Sequence, residues 1–193
     1  MVLNEGNYLG DWLIDEFGEP DHCREEVVVL VKTDLPSGTL LGVDATFTLH
    51  EIYDNVDPAA CDGILINPLQ LADAKPVTSI TDAANTSTIV FPEAHGLITG
   101  DIVQISGATV DAALNGYYQF TRLTDTTGTV TTAGVGDAAY NEATLRVTKI
   151  NQNSVFLHRG PATVAAAGLT QEGNAAALAA AIVDLAALGI IVR

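Results

Sequence analysis

The chain has 193 residues, 48% of them apolar, which is enough to build a packed core and excludes a disordered tail. Its 24 acidic and 8 basic residues give a formal charge of −16. A field of that sign repels phosphate at long range, so nucleic acid and anionic membrane surfaces are not expected as partners, whereas solubility at high copy number is.

Met1 to Pro20 is acidic, with Tyr8, Leu9, Trp12, Leu13, Ile14 and Phe17 scattered through it. Gly6, Gly10, Gly18 and Pro20 interrupt any helical period, so an extended arm with a few apolar anchors is expected. Met1 to Asp11 lacks a basic start followed by an apolar stretch, so no export signal is expected. Cys23 and Cys61 are then expected as reduced core thiols. His22 beside Cys23 has no second Cys/His pair at ligand spacing, and no metal site is expected.

Glu26 to Lys32 contains Val-Val-Val-Leu-Val, a short apolar run that predicts a buried strand. Asp34 to Gly38 is a turn, because Pro36 presets φ and Gly38 supplies positive φ. Thr39–Val43 and Thr46–Tyr53 read as further strands, and the loop from Asp57 to Gly63 leads into a fourth, Gly63–Ile66. From Pro76 to Ile150 the composition shifts to Thr, Val, Ile, Gly and Asn, with frequent turn signals. Strands are expected at Val77–Thr81, Ser87–Phe91, Ile102–Ser106, Tyr117–Thr124, Thr129–Thr132 and Leu145–Ile150. Turns are expected at His95-Gly96, Thr99 to Asp101 and Asp125 to Gly128, and a hairpin at Asn115-Gly116.

Beyond Ile150, Ser154–His158 is a strand, Arg159 to Pro161 a turn, and Ala162–Ala166 a short extended run. A helix is expected from Asn174, its N-cap, to Leu188, with Leu178, Ile182, Leu185 and Leu188 on one stripe and Gly189 at the C-terminal cap. Asp184 and Gly189 interrupt the apolar stretch Ala175 to Val192, short of the ~20 apolar residues of a membrane span. Ile190 to Arg193 closes the chain as a strand.

The fold class that follows is α+β, mostly β. A small mixed domain with one C-terminal helix, residues 1–75 and 151–193 with the arm at 1–20, is interrupted by an inserted all-β sandwich or barrel-like domain at 76–150. The polar stretches Asp73 to Lys75 and Asn151 to Asn153 are expected as the surface linkers of that insertion.

No nucleophile elbow, phosphate loop or His-Glu-x-x-His helix occurs, and nothing in the spacing brings His50, His95, Asp101 and His158 together. No enzymatic activity, catalytic residue or cofactor is expected. His95 before Gly96 reads as a loop residue whose ring bonds local backbone. Tyr117-Tyr118 is either a sugar-binding platform or, since strand residues alternate between faces, one core and one surface ring. The alanine-rich helix either covers its own sheet or forms a contact between copies.

Five stretches, taken in order, carry a resemblance. They are Leu3 to Leu13, Pro36 to Gly42, Asp57 to Leu65, Leu157 to Ala162 and Ala186 to Arg193. With the middle segment removed, the chain resembles the head decoration (capsid cement) protein family of lambda-like phages and prophages. The resemblance implies a compact mixed α/β fold that forms a homotrimer at three-fold positions on the outer surface of the expanded head. It implies the major capsid protein as partner, stabilisation against internal DNA pressure, and residence in the host cytoplasm during assembly before the virion. It also implies a capsid-binding arm, here Val2, Leu3, Asn4, Glu5, Gly6, Tyr8, Leu9 and Trp12, whose backbone can extend a sheet of the capsid protein. Within the insert, Glu93 to Val103 and Leu114 to Tyr118 resemble a small β module of phage virion proteins. Two alternatives stay open: an adhesion module that binds glycan through the insert, and a tail or fibre component.

Overall fold

A computed structural model of the chain describes residues 13–16, 23–58, 60–136, 138–171 and 175–193. Among them the chain forms β1 (Leu13–Glu16), β2 (Arg24–Leu30), β3 (Leu40–Val43), β4 (His50–Ile52) and β5 (Gly63–Leu65). Next come β6 (Lys75–Pro76), β7 (Ser79–Ala83), β8 (Thr86–Val90), β9 (Ile102–Ser106), β10 (Gly116–Gln119), β11 (Thr121–Arg122) and β12 (Thr127–Thr131). The last elements are β13 (Ala139–Tyr140), β14 (Arg146–Lys149), β15 (Asn151–Leu157), β16 (Ala162–Val164), helix α1 (Ala175–Ala187) and β17 (Ile190–Val192). The protein is therefore mostly β with one C-terminal helix, the α+β class its sequence predicts. Its chain divides into two compact units, Met1–Leu71 with Gln152–Arg193, and Ala72–Asn151.

In the split unit, strands β15-β2-β4-β3-β5 close into a five-stranded barrel, and β1-β16-β17 form a separate sheet. Strand β2 runs parallel to β4, while β3 is antiparallel to both β4 and β5. The apolar doublets in these strands follow from burial on both faces. Leu41, Leu65 and Phe156 join a cluster with Val27, Val29 and Val31. Their chain neighbours Leu40, Ile64 and Leu157 point the other way, into a cluster with Cys23, Tyr53, Ala181 and Leu185. Each such side chain, fully buried, contributes about 1.5–3 kcal/mol.

Helix α1 packs onto that second cluster of its own unit through Ala177, Ala181 and Leu185, spaced four apart. The buried line thus shares Leu185 with the predicted leucine stripe and runs one position earlier over the turns before it, at Ala177 and Ala181. Leu178 and Leu188 flank it and Ile182 is only half-buried, because alanines let the helix backbone sit close to the sheet. Gly189 ends the helix at φ 82°, as a C-terminal glycine does. Asn174, the expected N-cap, lies outside the described residues.

The other unit has two antiparallel sheets, β10-β9-β14-β6 and β11-β12-β8-β7-β13, which share one core. Alternation is regular: Ile80 and Asp82 of β7, and Ser87 and Ile89 of β8, are buried, while their neighbours face outward. Phe120, fully buried, separates β10 from β11 at the point where the chain passes from one sheet to the other.

Several local expectations need correction. Thr46–Leu49 is not strand, because the Asp44 carboxylate accepts from the amides of Thr46 (2.9 Å) and Phe47 (2.6 Å) and holds a turn. Asn115-Gly116 is not a two-residue hairpin. Asn115 instead closes the longer β9–β10 loop, its side-chain amide exchanging two 2.9 Å bonds with the backbone of Ala108. Gly128 lies in β12 rather than in a turn, paired with Ile89. Asn151 to Asn153 is the start of β15 rather than a linker, and the Asn151 side chain accepts from the Ile102 amide at 2.9 Å. Lys75, likewise read as linker, pairs with Val147. Finally, Leu13–Glu16, within the expected arm, belongs to a sheet.

Candidate functional site

The capsid-binding positions Val2, Leu3, Asn4, Glu5, Gly6, Tyr8, Leu9 and Trp12 lie outside the described residues, as does His22. What is described is the strand that follows them. Strand β1 pairs antiparallel with β16, Leu13 opposite Val164 and Glu16 opposite Ala162, with a register shift between Leu13 and Asp15. Leu13 packs on the core beneath α1, which fixes this strand to its domain. In the order β1-β16-β17, β1 is an edge. An edge strand carries one row of backbone donors and acceptors that a further strand can use.

The described motif stretches meet one another through glycines. A Cβ on Gly42 would lie 2.3 Å from the Ala60 carbonyl oxygen and 2.5 Å from Pro58 Cβ. One on Gly63 would lie 2.5 Å from both the Leu157 carbonyl oxygen and the Phe156 ring. One on Gly160 would lie 1.9 Å from the Gly189 carbonyl oxygen. Pro36 to Gly42 thus abuts Asp57 to Leu65, which abuts Leu157 to Ala162, which abuts Ala186 to Arg193. The Gly160 amide donates to the Leu188 carbonyl (2.7 Å) within the same set, and the Cys61 amide donates to Oδ2 of Asp184 (2.9 Å), two residues before the last stretch. These described motif residues hold the split domain together.

Both thiols are buried and free. Cys23 Sγ donates to the Pro161 carbonyl and Cys61 Sγ to the Gly63 carbonyl. Burial pushes the Cys61 thiol up to about 12, with the charges of Asp184 and Asp62 adding to the shift and the Gly63 hydrogen bond opposing it. A thiol so held is protonated and unreactive at neutral pH.

Of the three histidines among the described residues, two come together. His50 and His158 flank Phe156, with ring centroids 4.8 and 5.1 Å from its own. His50 Nε2 meets the Asp62 carboxylate at 2.9 Å, and His158 Nδ1 meets the Asp62 carbonyl at 3.1 Å. The pair stitches β4, the start of β5 and the end of β15 together around one ring. Close by in the same unit, Glu51 forms an ion pair with Lys32. Burial raises the Glu51 carboxyl above its usual range, and the Lys32 hydrogen bond and charge oppose that shift.

In the other unit His95 is buried against Phe91 (4.8 Å) and Phe120 (5.2 Å). The Leu97 amide donates to its Nδ1 at 2.9 Å, which leaves the proton on Nε2 to donate to the Thr124 carbonyl at 3.0 Å. Asp101 is also buried; its Oδ2 accepts from the Ile98 amide at 2.9 Å and its Oδ1 meets Lys149 Nζ at 2.6 Å. Each residue therefore spends one polar atom inside the loop between Phe91 and Ile102 and the other on tying that loop to Thr124 or Lys149. Tyr118 packs on the core and donates to the carbonyls of Ala113 and Leu114, while Tyr117 is 39% exposed.

The sequence reading missed a buried polar group at Asp82, whose Oδ2 accepts from Ser87 Oγ (2.6 Å) and from Thr132 Oγ1. Its signal was parity: Asp82 stands two residues after Ile80, on the inward row of β7. Among the described residues, no group of three or more His, Cys, Asp or Glu could hold a metal ion, and no helix is long and apolar enough to cross a membrane. A groove of about 540 Å³, bordered by Glu26, Val28, Asn67, Leu69 and Ser154, gathers no acid–base pair or nucleophile with an activating base. Comparison with family models, with curated proteins and with solved structures returns no match.

Proposed function

We propose that this chain is a capsid decoration protein, a non-enzymatic component that binds the outer surface of a tailed-phage head as a trimer and stabilises it against internal DNA pressure. The observation that carries the reading is that the four described stretches resembling the decoration family, Pro36 to Gly42, Asp57 to Leu65, Leu157 to Ala162 and Ala186 to Arg193, fall within one compact unit, although about 90 residues, most of them of other composition, separate Leu65 from Leu157. Charge is unevenly divided in the same sense. The split unit holds 16 acidic and 4 basic residues, the insert unit 8 and 4. In this reading the split domain attaches to the major capsid protein through residues 2–12, and edge strand β1 anchors that segment to the core.

The test is cosedimentation with expanded heads that lack the protein, taken from the phage that encodes it. Full-length chain is expected to sediment with heads and to raise the temperature at which they release DNA. Chain lacking residues 2–12 is expected to stay folded and remain in the supernatant. Absence of binding by the full-length chain overturns the reading, and equal binding by the truncated chain overturns the role of the arm.

A further inference from the structure

The outward face of the insert's five-stranded sheet is a lattice of threonines. In register, Thr121 of β11 stands beside Thr129 of β12, then Thr88 of β8 and Thr81 of β7, an unbroken rank across four neighbouring strands. Two residues along, Thr131 and Thr86 form a second rank. Strands lie ~4.8 Å apart and alternate residues ~7 Å apart, so the hydroxyls form a regular grid. None of these six residues has a side-chain hydrogen-bond partner among the described residues. The remaining outward positions of β7, β8 and β12 are Ser79, Ala83, Val90 and Thr127. The three long strands thus present no charge on this face, in a chain whose formal charge is −16.

Two copies of so acidic a chain repel one another wherever their charged surfaces meet, and least where charge is absent. A hydroxyl both donates and accepts, so a rank of threonines is complementary to another copy of itself across a two-fold axis, and the methyl groups supply apolar contact. The three five-residue strands and the two-residue β11 and β13 make 19 residues, which cover roughly 300 Å². That is well under half of the ~800 Å² per partner in a stable interface, so such a contact is weak unless copies are already held close together.

We propose that the threonine face of the insert is a weak, self-complementary contact between copies of this chain. The proposal goes beyond capsid binding and does not depend on it. It is tested on the full chain by sedimentation velocity from micromolar to millimolar concentration. Wild type is expected to show reversible association that strengthens with concentration. Thr88→Glu with Thr129→Glu, which sets like charges against each other, is expected to weaken that association at least tenfold. A control carrying the same added charge elsewhere on the insert, Val110→Glu with Gln119→Glu, is expected to associate as wild type does within twofold. A second variant does not rely on charge. Thr88→Cys is expected to form disulfide-linked dimers on mild oxidation, Val110→Cys is not, and the native cysteines are buried. No concentration dependence in wild type, equal weakening by the control charges, or glycan binding that Thr88→Glu abolishes without any self-association would each overturn the proposal.

Discussion

Gly128→Ala gives the sharpest test of how the insert is packed. The added Cβ would lie 2.0 Å from Phe120 Cζ, 2.4 Å from Cε2 and 2.8 Å from Cε1. Ordinary carbon contacts need ~3.5–4.0 Å, so the ring must move by roughly 1.5–2 Å. Phe120 is fully buried, with ring centroids 6.4 Å from Phe91 and 5.2 Å from His95, so the ring has no free space to enter. Overpacking costs about 1–3 kcal/mol, and the stiffer unfolded chain offsets about 0.4–1 kcal/mol of that. A net loss of about 1.3 kcal/mol, in a unit that runs from Ala72 to Asn151, lowers its melting temperature by roughly 5–10 °C. Calorimetry on the full chain, with tyrosine near-ultraviolet dichroism to assign the transition, measures the shift. Phe120→Leu removes all three clashing atoms. It should cost about 1–1.5 kcal/mol alone and almost nothing further when Gly128→Ala is already present. A double-mutant cycle then shows at least about 1 kcal/mol of favourable coupling. Strict additivity, or a Gly128→Ala variant as stable as wild type, would refute the close approach of ring and strand.

Asp101→Asn should destabilise the insert by about 1–2 kcal/mol, the modest figure reflecting the partial exposure of Lys149, and denaturant melts measure it. Neither cysteine should react with iodoacetamide over an hour at pH 8 in the folded protein, both being buried and the Cys61 thiol pushed up to about 12, whereas both should react in denaturant, as mass spectrometry will show. Glu142 is held below its usual range by hydrogen bonds from the Thr109 hydroxyl and the amides of Thr109 and Val110. A carboxyl depressed in the folded state contributes stability above its unfolded value, here near 4.5, and loses it as pH falls through the folded value. Hydrogen exchange at the Thr109 and Val110 amides should therefore lose protection below pH 4.5 in wild type, relative to the intrinsic rate, and show no such step in Glu142→Gln.

Strand positions were legible wherever burial followed a simple period. The run Val27 to Val31 and the alternation Ile80-Thr81-Asp82 announce a strand buried on both faces and one buried on a single face. The mostly β class and the single C-terminal helix follow from the same signals. Errors arose where one residue type serves two physical roles. Gly128 looks like a turn glycine, yet it is absent of side chain to admit a ring from a residue eight positions earlier. Thr46 and Thr48 have the shape of strand residues, but the Asp44 carboxylate captures the local amides first. Asn115-Gly116 has hairpin composition, whereas the Asn115 side chain bonds across the loop to Ala108.

The candidate sites were legible in a narrower sense. Sequence spacing gave no reason for His50 and His158 to meet, because their meeting depends on the barrel closing around Phe156. The glycines at Gly42, Gly63 and Gly160 belong to the stretches that carry the family resemblance. Their reason is visible only in three dimensions, where each marks a point at which two of those stretches touch. The threonine ranks needed strand register, which composition alone does not supply.

The proposed function makes this chain the product of a tailed phage or prophage, and electron cryomicroscopy of that phage's mature particles tests the central claim most directly. The account predicts density for three copies of the split domain at three-fold positions on the outer face of the head, with residues 2–12 running against the major capsid protein. A bare head surface, or the same density on the tail or its fibres, would contradict it.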